Sequence, residues 1–252
     1  MQRYFLARDQ FTDTSVQITG DDAHHIMNVM RSSTGEQLIC SNGVDREVLV
    51  QITELQKGLV HASIVEELSM DHEPGVEVWI AQSLPKGDKM ESVIQKCTEI
   101  GAARFIPFVS ERTIVQYDGR KELKRIERWQ KIAKEAAEQA HRNRMPAVEA
   151  ALSFKQLLDR VQEVDLALFC YEKEAGLLLK DVLQKTEIKP QEGKKPIYLL
   201  IIGSEGGFTE GEMGKAEAAG CKSTSLGSRI LRTETAAMVG LTCIMYETGE
   251  MG

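Results

Sequence analysis

Two stretches near the start of the chain, Glu47-Val48-Leu49-Val50-Gln51-Ile52 and Leu59-Val60-His61-Ala62-Ser63-Ile64-Val65, alternate apolar with polar side chains, the period of strands with one buried face. Asn42-Gly43, between Leu38-Ile39-Cys40 and Val48-Leu49-Val50, predicts a hairpin turn. One helix interrupts these strands: Asp21-Asp22 place carboxylates in its first turn, and Ile26, Val29 and Met30 recur three and four apart as its inner stripe. Residues 1–73 therefore predict a small, mostly β, barrel-like domain. The segment Ser69 to Gly75 then breaks the periodicity with charge, Pro and Gly, as a linker does.

From residue 74 to 252 the pattern changes to strands alternating with helices. A strand over 76–82 precedes a helix with Met90, Val93, Ile94 and Cys97 on one face, which Gly101 ends before a strand over 104–109. A long basic helix follows from Glu122 to Arg142, with Leu123, Ile126, Ala133, Ala137 and Ala140 as its buried stripe. Strands recur at 165–170, 197–202 and 223–225. Ile197 to Ile202 is apolar on both faces, which marks an interior parallel strand. The expected fold class is α/β with a mainly parallel sheet, preceded by the small β domain.

Charge and cysteine usage limit the function classes. The formal net charge is -7, but residues 1–73 hold five Lys/Arg against twelve Asp/Glu, whereas 74–252 hold 26 of each. Within the second region, residues 120–144 carry nine Lys/Arg and four Asp/Glu, so the net charge does not exclude RNA. Five scattered cysteines without a C-x-x-C pair read as reduced, mostly buried thiols rather than a zinc site. No metal is expected. The adjacent His24 and His25 point apart on a helix, so one is expected to pack or cap. With no signal-like apolar segment at the start and no run of the ~20 apolar residues needed for a span, a cytoplasmic location is expected.

In open α/β sheets ligands bind beyond the carboxyl ends of the strands. Two loops stand out there. Gly203-Ser204-Glu205-Gly206-Gly207-Phe208-Thr209 leaves the buried strand and meets a helix signed by Thr209 and Glu212 at capping-box spacing. Its glycines either let the backbone approach a ligand or simply make a tight turn. The loop matches neither the dinucleotide nor the triphosphate fingerprint, so a nucleotide-dependent oxidoreductase loses its support. Leu226 to Ala237 puts Arg229, Arg232, Glu234 and two threonines at the mouth of a small-residue helix, which suits an anion or carboxylate. Its plainer reading is a helix capped by Thr233.

The stretches GSEGGFTEGE (203–212) and LGSRILRTETA (226–236) together closely resemble the RsmE family of ribosomal RNA methyltransferases, SPOUT-class enzymes that methylate uridine at N3 in small-subunit RNA. The resemblance extends through Arg3-Tyr4-Phe5, His24-His25 with Val29-Met30-Arg31, LPKGDKMES (84–92), KCTEIGAARFIPF (96–108) and ERWQKIAKEAAEQAHR (127–142), in order over nearly the whole chain. Ser204 departs from the family's usual proline.

The resemblance implies a PUA-like barrel over 1–73 and a knotted (deep trefoil) SPOUT domain over 74–252, working as a homodimer on the 30S particle with S-adenosylmethionine as cofactor. The cofactor-binding positions it implies are Tyr171, Glu172, Ile202, Gly203, Ser204, Glu205, Gly206, Leu226, Gly227, Ile230, Leu231, Thr235 and Ala236. Loss of the uracil N3 proton calls for cationic stabilisation or a base, for which Arg232 and Glu234 are the candidates; an ion pair between Glu234 and Arg229 or Arg232 is the plainer alternative. Candidate phosphate contacts are Arg3, Arg8, Lys86, Lys89, Arg112, Arg128, His141, Arg142 and Arg144. A non-catalytic RNA-binding assembly factor is the alternative function.

Overall fold

The computed structural model describes residues 1–114, 119–172, 177–188 and 193–251, which form two compact units.

The first unit comprises Met1–Glu73 together with Ala137–Met145. Its strands β1 (Arg3–Phe5), β2 (Ser15–Thr19), β3 (Gln37–Ser41), β4 (Glu47–Gln56) and β5 (Leu59–Glu67) form one sheet in the order β1-β3-β4-β5-β2. All neighbours are antiparallel except β1 with β3. Alternation sets the register: Leu38 faces Val50 and Cys40 faces Val48, all four buried. The predicted turn forms, with Asn42 Oδ1 accepting the N–H groups of Val44, Asp45 and Arg46 while Gly43 takes φ +71°. Helix α1 (Gly20–His24) carries Asp21 and Asp22 in its first turn and continues as a π-helical turn, His25–Val29. Ile26 enters the core, but Val29 and Met30 stay 60% and 41% exposed, because the π turn takes them off the inner face. His25 Nδ1 lies 2.9 Å from the Tyr4 hydroxyl, and His24 is exposed.

The second unit comprises Pro74–Ala136 and Pro146–Gly252. Its strands are β6 (Glu77–Ser83), β7 (Arg104–Val109), β8 (Ala147–Val148), β9 (Leu152–Ser153), β10 (Leu166–Cys170), β11 (Ile197–Ile202) and β12 (Lys222–Thr224). They pair in parallel in the order β12-β10-β11-β6-β7-β8, with β9 also on β7. The helices are α2 (Lys89–Ile100), α3 (Gly119–Gln139), α4 (Phe154–Asp159), α5 (Leu179–Lys185), α6 (Glu210–Ala218) and α7 (Thr233–Glu247). The central β11 explains its own apolarity: Leu200 and Ile202 pack into the core shared with α2, α5 and α7, and Leu199 and Ile201 into the one shared with α4 and α6.

The basic helix differs from expectation at both ends. Leu123 is 64% exposed, and the inner face runs through Trp129, Ala133 and Ala137. The helix stops at Gln139, and His141 adopts φ +55°, which turns Arg142 and Asn143 into buried positions.

Candidate functional site

The carboxyl ends of β10 and β11 and the loop after β12 converge on a cavity of about 380 Å³. Of the predicted cofactor positions, Tyr171, Glu172, Ile202, Gly203, Ser204, Glu205, Leu226, Gly227, Ile230, Leu231 and Ala236 line it, and Arg232 joins them. Gly206 faces a second cavity, and Thr235 and Glu234 line neither. Glu234 Oε2 is buried without a hydrogen-bond partner, which leaves the alternative of an ion pair with Arg229 or Arg232 without support.

Three segments distant in sequence are tied together at one point. Gln82, at the end of β6, donates from Nε2 to Thr233 Oγ1 over 2.8 Å, and Thr233 Oγ1 donates to the Gly203 carbonyl over 2.6 Å. The hydroxyl of Thr233 is thus spent across the fold; the N-cap of α7 is Arg232 and makes no side-chain cap, so the alternative reading of Thr233 as the cap does not hold. The glycine loop is held on its other side by Glu205, which accepts from Lys89 Nζ over 2.6 Å and from the Lys86 N–H over 3.2 Å. Burial pushes the Glu205 carboxyl up, but the Lys89 and backbone hydrogen bonds outweigh it and hold it below the usual carboxylate range. Gly207 takes φ +62°, and a Cβ there would stand 3.1 Å from the Glu172 carboxylate, so the close approach requires glycine. The Thr209–Glu212 capping box forms as predicted and fixes the start of α6.

The cavity has apolar walls in Ile202, Leu226, Phe208 and Leu231. Tyr171 and Ser204 are 5% and 8% exposed, and the hydroxyl of each is buried with no hydrogen-bond partner. Buried orphan hydroxyls on a cavity wall are groups a ligand would satisfy. A pocket of this size, with apolar walls beside polar and charged side chains and glycine backbone, fits a nucleoside such as S-adenosylmethionine. Cys170, also on the wall, offers no nucleophile: burial raises its thiol to about 12, so it stays protonated.

The predicted phosphate contacts separate into distinct groups. Arg3 and Arg142 are buried and are corrected: Arg3 makes a bidentate pair with Glu47 at 2.6 and 3.0 Å, and Arg142 pairs with Glu73 at 2.6 Å, so neither guanidinium is open to RNA. His141 is half-buried, with its pKa lowered by burial and then by Arg3, so it is not a standing cation. Arg8, Arg112, Arg128 and Arg144 are exposed, with Arg8 paired to Asp45 and Arg128 to Glu91. Lys86 is exposed and Lys89 is committed to Glu205. Thr233, Gln82, Gly207 and Phe208 escaped sequence reasoning because their partners are set by the crossing of strands, not by local pattern.

Residues 72–245 match the family model described as an RNA methyltransferase domain, and residues 18–65 match the RNA methyltransferase PUA domain. The ribosomal RNA small subunit methyltransferase E of Bacillus subtilis is 41% identical over 98% of this chain and 97% of its own. That of Synechocystis is 34% identical over 95% of this chain and 75% of its own. The solved structure of a ribosomal RNA small subunit methyltransferase E from Neisseria gonorrhoeae, bound to S-adenosylmethionine, superposes with a TM-score of 0.83 at 29% identity, covering 98% and 97% of the two chains. Fold, cavity and the two family matches thus define an RNA methyltransferase with a PUA domain. Within that class, the chain belongs to the ribosomal RNA small subunit methyltransferase E family.

Proposed function

We propose that the chain transfers a methyl group from S-adenosylmethionine to N3 of a uridine in small-subunit ribosomal RNA, in the cytoplasm, as a homodimer acting on the assembled 30S particle. The observation that carries this reading is the cavity, whose walls come from the ends of β10 and β11 and the loop after β12, the last two joined through Thr233, and hold two unpartnered hydroxyls. Tyr171, Ser204 and the backbone of Gly203 and Leu226 hold the cofactor, with Leu226 and Leu231 excluding water from it. The bound cofactor supplies an electrophilic methyl, whose bond to sulfur breaks as the bond to N3 forms, the electron pair staying on sulfur and the N3 proton passing to solvent.

Arg232, exposed at the cavity mouth, stabilises the charge that appears on the uracil carbonyls as that proton leaves. Glu234 lies outside the wall, so the base role has no support in the geometry of a single chain. Lys86, Arg8, Arg112, Arg128 and Arg144 remain as RNA contacts. The assembly-factor alternative has no support from the relatives, which are named as methyltransferases.

The test is transfer of a labelled methyl from S-adenosylmethionine to assembled small subunits lacking the modification, with mass spectrometry of the nucleosides. 3-Methyluridine is expected; a different methylated nucleoside would overturn the target. Arg232→Ala is expected to abolish turnover while leaving cofactor affinity intact by calorimetry, and normal turnover would remove its role.

A further inference from the structure

The loop after β7, Ser110 to Thr113, meets the glycine loop at Gly206, the loop residue that does not line the first cavity. This loop is anchored at several points. Ser83 Oγ lies 2.8 Å from Ser110 Oγ and 3.0 Å from Thr113 Oγ1, with Ser83 and Ser110 both buried. The Glu111 N–H donates over 2.8 Å to one oxygen of Glu212, a fully buried carboxylate whose other oxygen accepts the Thr209 N–H over 2.9 Å. From this base the exposed Arg112 donates from Nη1 to the Gly206 carbonyl over 2.8 Å. The N–H of the same peptide unit, that of Gly207, donates to the Ser204 carbonyl over 2.9 Å. The peptide between Gly206 and Gly207 is thus held at both ends. A Cβ on Gly206 would stand 2.9 Å from Arg112 Cβ, so glycine at this position answers to Arg112.

We propose that Arg112 is a positioning residue for the cofactor: by holding the Gly206 carbonyl, it fixes the peptide orientation that presents Ser204 and Glu205 to the first cavity. The inference rests on the reading of that cavity as the S-adenosylmethionine site. Two adjacent glycines place few steric limits on the peptide between them, so it turns over freely unless hydrogen bonds select one orientation. Turning it over takes the Gly206 carbonyl from Arg112 and the Gly207 N–H from Ser204 at once. It also releases the turn that sets the Ser204 hydroxyl, buried without a partner, on the cavity wall. A guanidinium suits the task, because it stays charged and its hydrogen bonds are stronger than those of a neutral donor. Thr233 holds the loop at Gly203 and Lys89 holds it at Glu205; Arg112 holds the turn that follows. Arg112 is thereby moved from the phosphate contacts to the cofactor loop.

The two roles separate in the absence of RNA. Arg112→Met keeps the side-chain stem and removes the donors. Its dissociation constant for S-adenosylmethionine, measured by calorimetry without RNA, is expected to rise by about tenfold, the effect of one charged hydrogen bond. The KM for assembled subunits at saturating cofactor is expected to stay near wild type. The melting temperature of the cofactor-free protein is expected to shift by about 2 °C or less, since the position is exposed. Gly206→Ala forces the same contact apart from the other side and is expected to weaken cofactor binding similarly. Added to Arg112→Met, it is expected to cost much less than when added to wild type. Unchanged cofactor affinity with a raised KM for subunits would overturn the proposal, since that is the signature of a phosphate contact. Fully additive losses would overturn it as well, by showing that the two residues act separately. Loss of affinity together with a large drop in melting temperature would assign Arg112 to the fold instead. Leu226→Trp, which fills the first cavity, checks the underlying reading. If it leaves cofactor binding intact, the cofactor lies elsewhere and that reading fails; if it abolishes binding while Arg112→Met binds as wild type does, only the role of Arg112 fails.

Discussion

Thr233 shows how much one hydroxyl can settle. It accepts from Gln82 and donates to the Gly203 carbonyl, so β6, the glycine loop and the start of α7 meet in a single chain of hydrogen bonds. Gln82 is fully buried and its Oε1 is already without a partner, so this amide has no slack. Thr233→Val keeps the shape and removes the oxygen. It removes two buried hydrogen bonds, while Gln82 Nε2 keeps the Ser83 and Gly203 carbonyls, and is expected to cost about 1–3 kcal/mol. Because the Gly203 carbonyl, left with only the 3.2 Å bond from Gln82 Nε2, belongs to the loop that walls the cavity, affinity for S-adenosylmethionine is expected to fall by about tenfold. Calorimetric titration together with a thermal melt checks both. Sequence showed Thr233 at a helix start and left a cap, which Thr favours, as the plainer of two readings. Its actual partners lie 151 and 30 residues away, a distance that no local pattern reports.

At the scale of elements, local signals were readable where the partner is near in sequence. The capping box of α6, the Asn42-Gly43 turn and the two-faced apolarity of β11 all formed as expected. Signals failed where tertiary packing decided, as with Leu123, which has helical spacing and remains exposed. Gly240 in α7 is a packing glycine of the same kind: a Cβ there would meet Leu200 of β11 at 2.7 Å, within a core where Leu200 is fully buried. Alanine gains about 1 kcal/mol in helix propensity, while forcing an extra methyl into a closed core costs roughly 1–3 kcal/mol. Gly240→Ala is therefore expected to lower the melting temperature despite its better propensity, and a melt unchanged or raised would show that β11 and α7 can separate. Gly214, whose Cβ would meet nothing within 4 Å, is the control at which alanine is expected to stabilise.

For the whole molecule, the consequential pairing is the one hidden in Arg3 and Arg142. As isolated arginines in a chain with a basic stretch they read as surface cations, because their neutralising carboxylates are 44 and 69 residues away. In the folded unit Glu47 accepts from Arg3 and from Asn143 Nδ2, Arg3 also donates to the Arg142 carbonyl, and the Phe5 N–H donates to Glu138. Asn143 Oδ1 accepts the His72 N–H, and Glu73 holds the Arg142 guanidinium. Residues 137–145 are thus an internal part of the first unit, although the sequence places them after β6, α2, β7 and most of α3. Glu47→Ala strands a buried guanidinium and is expected to destabilise by about 3–5 kcal/mol in denaturant, far more than Arg8→Ala, whose pair with Asp45 is exposed. A fragment of residues 1–73 would keep all five strands yet lose Asn143, Glu138 and the Arg142 carbonyl, leaving Arg3, Glu47 and the Phe5 N–H underpaired. It is expected to lack a cooperative melt and dispersed amide resonances; a well-dispersed spectrum from that fragment would show that the sheet closes its core without residues 137–145.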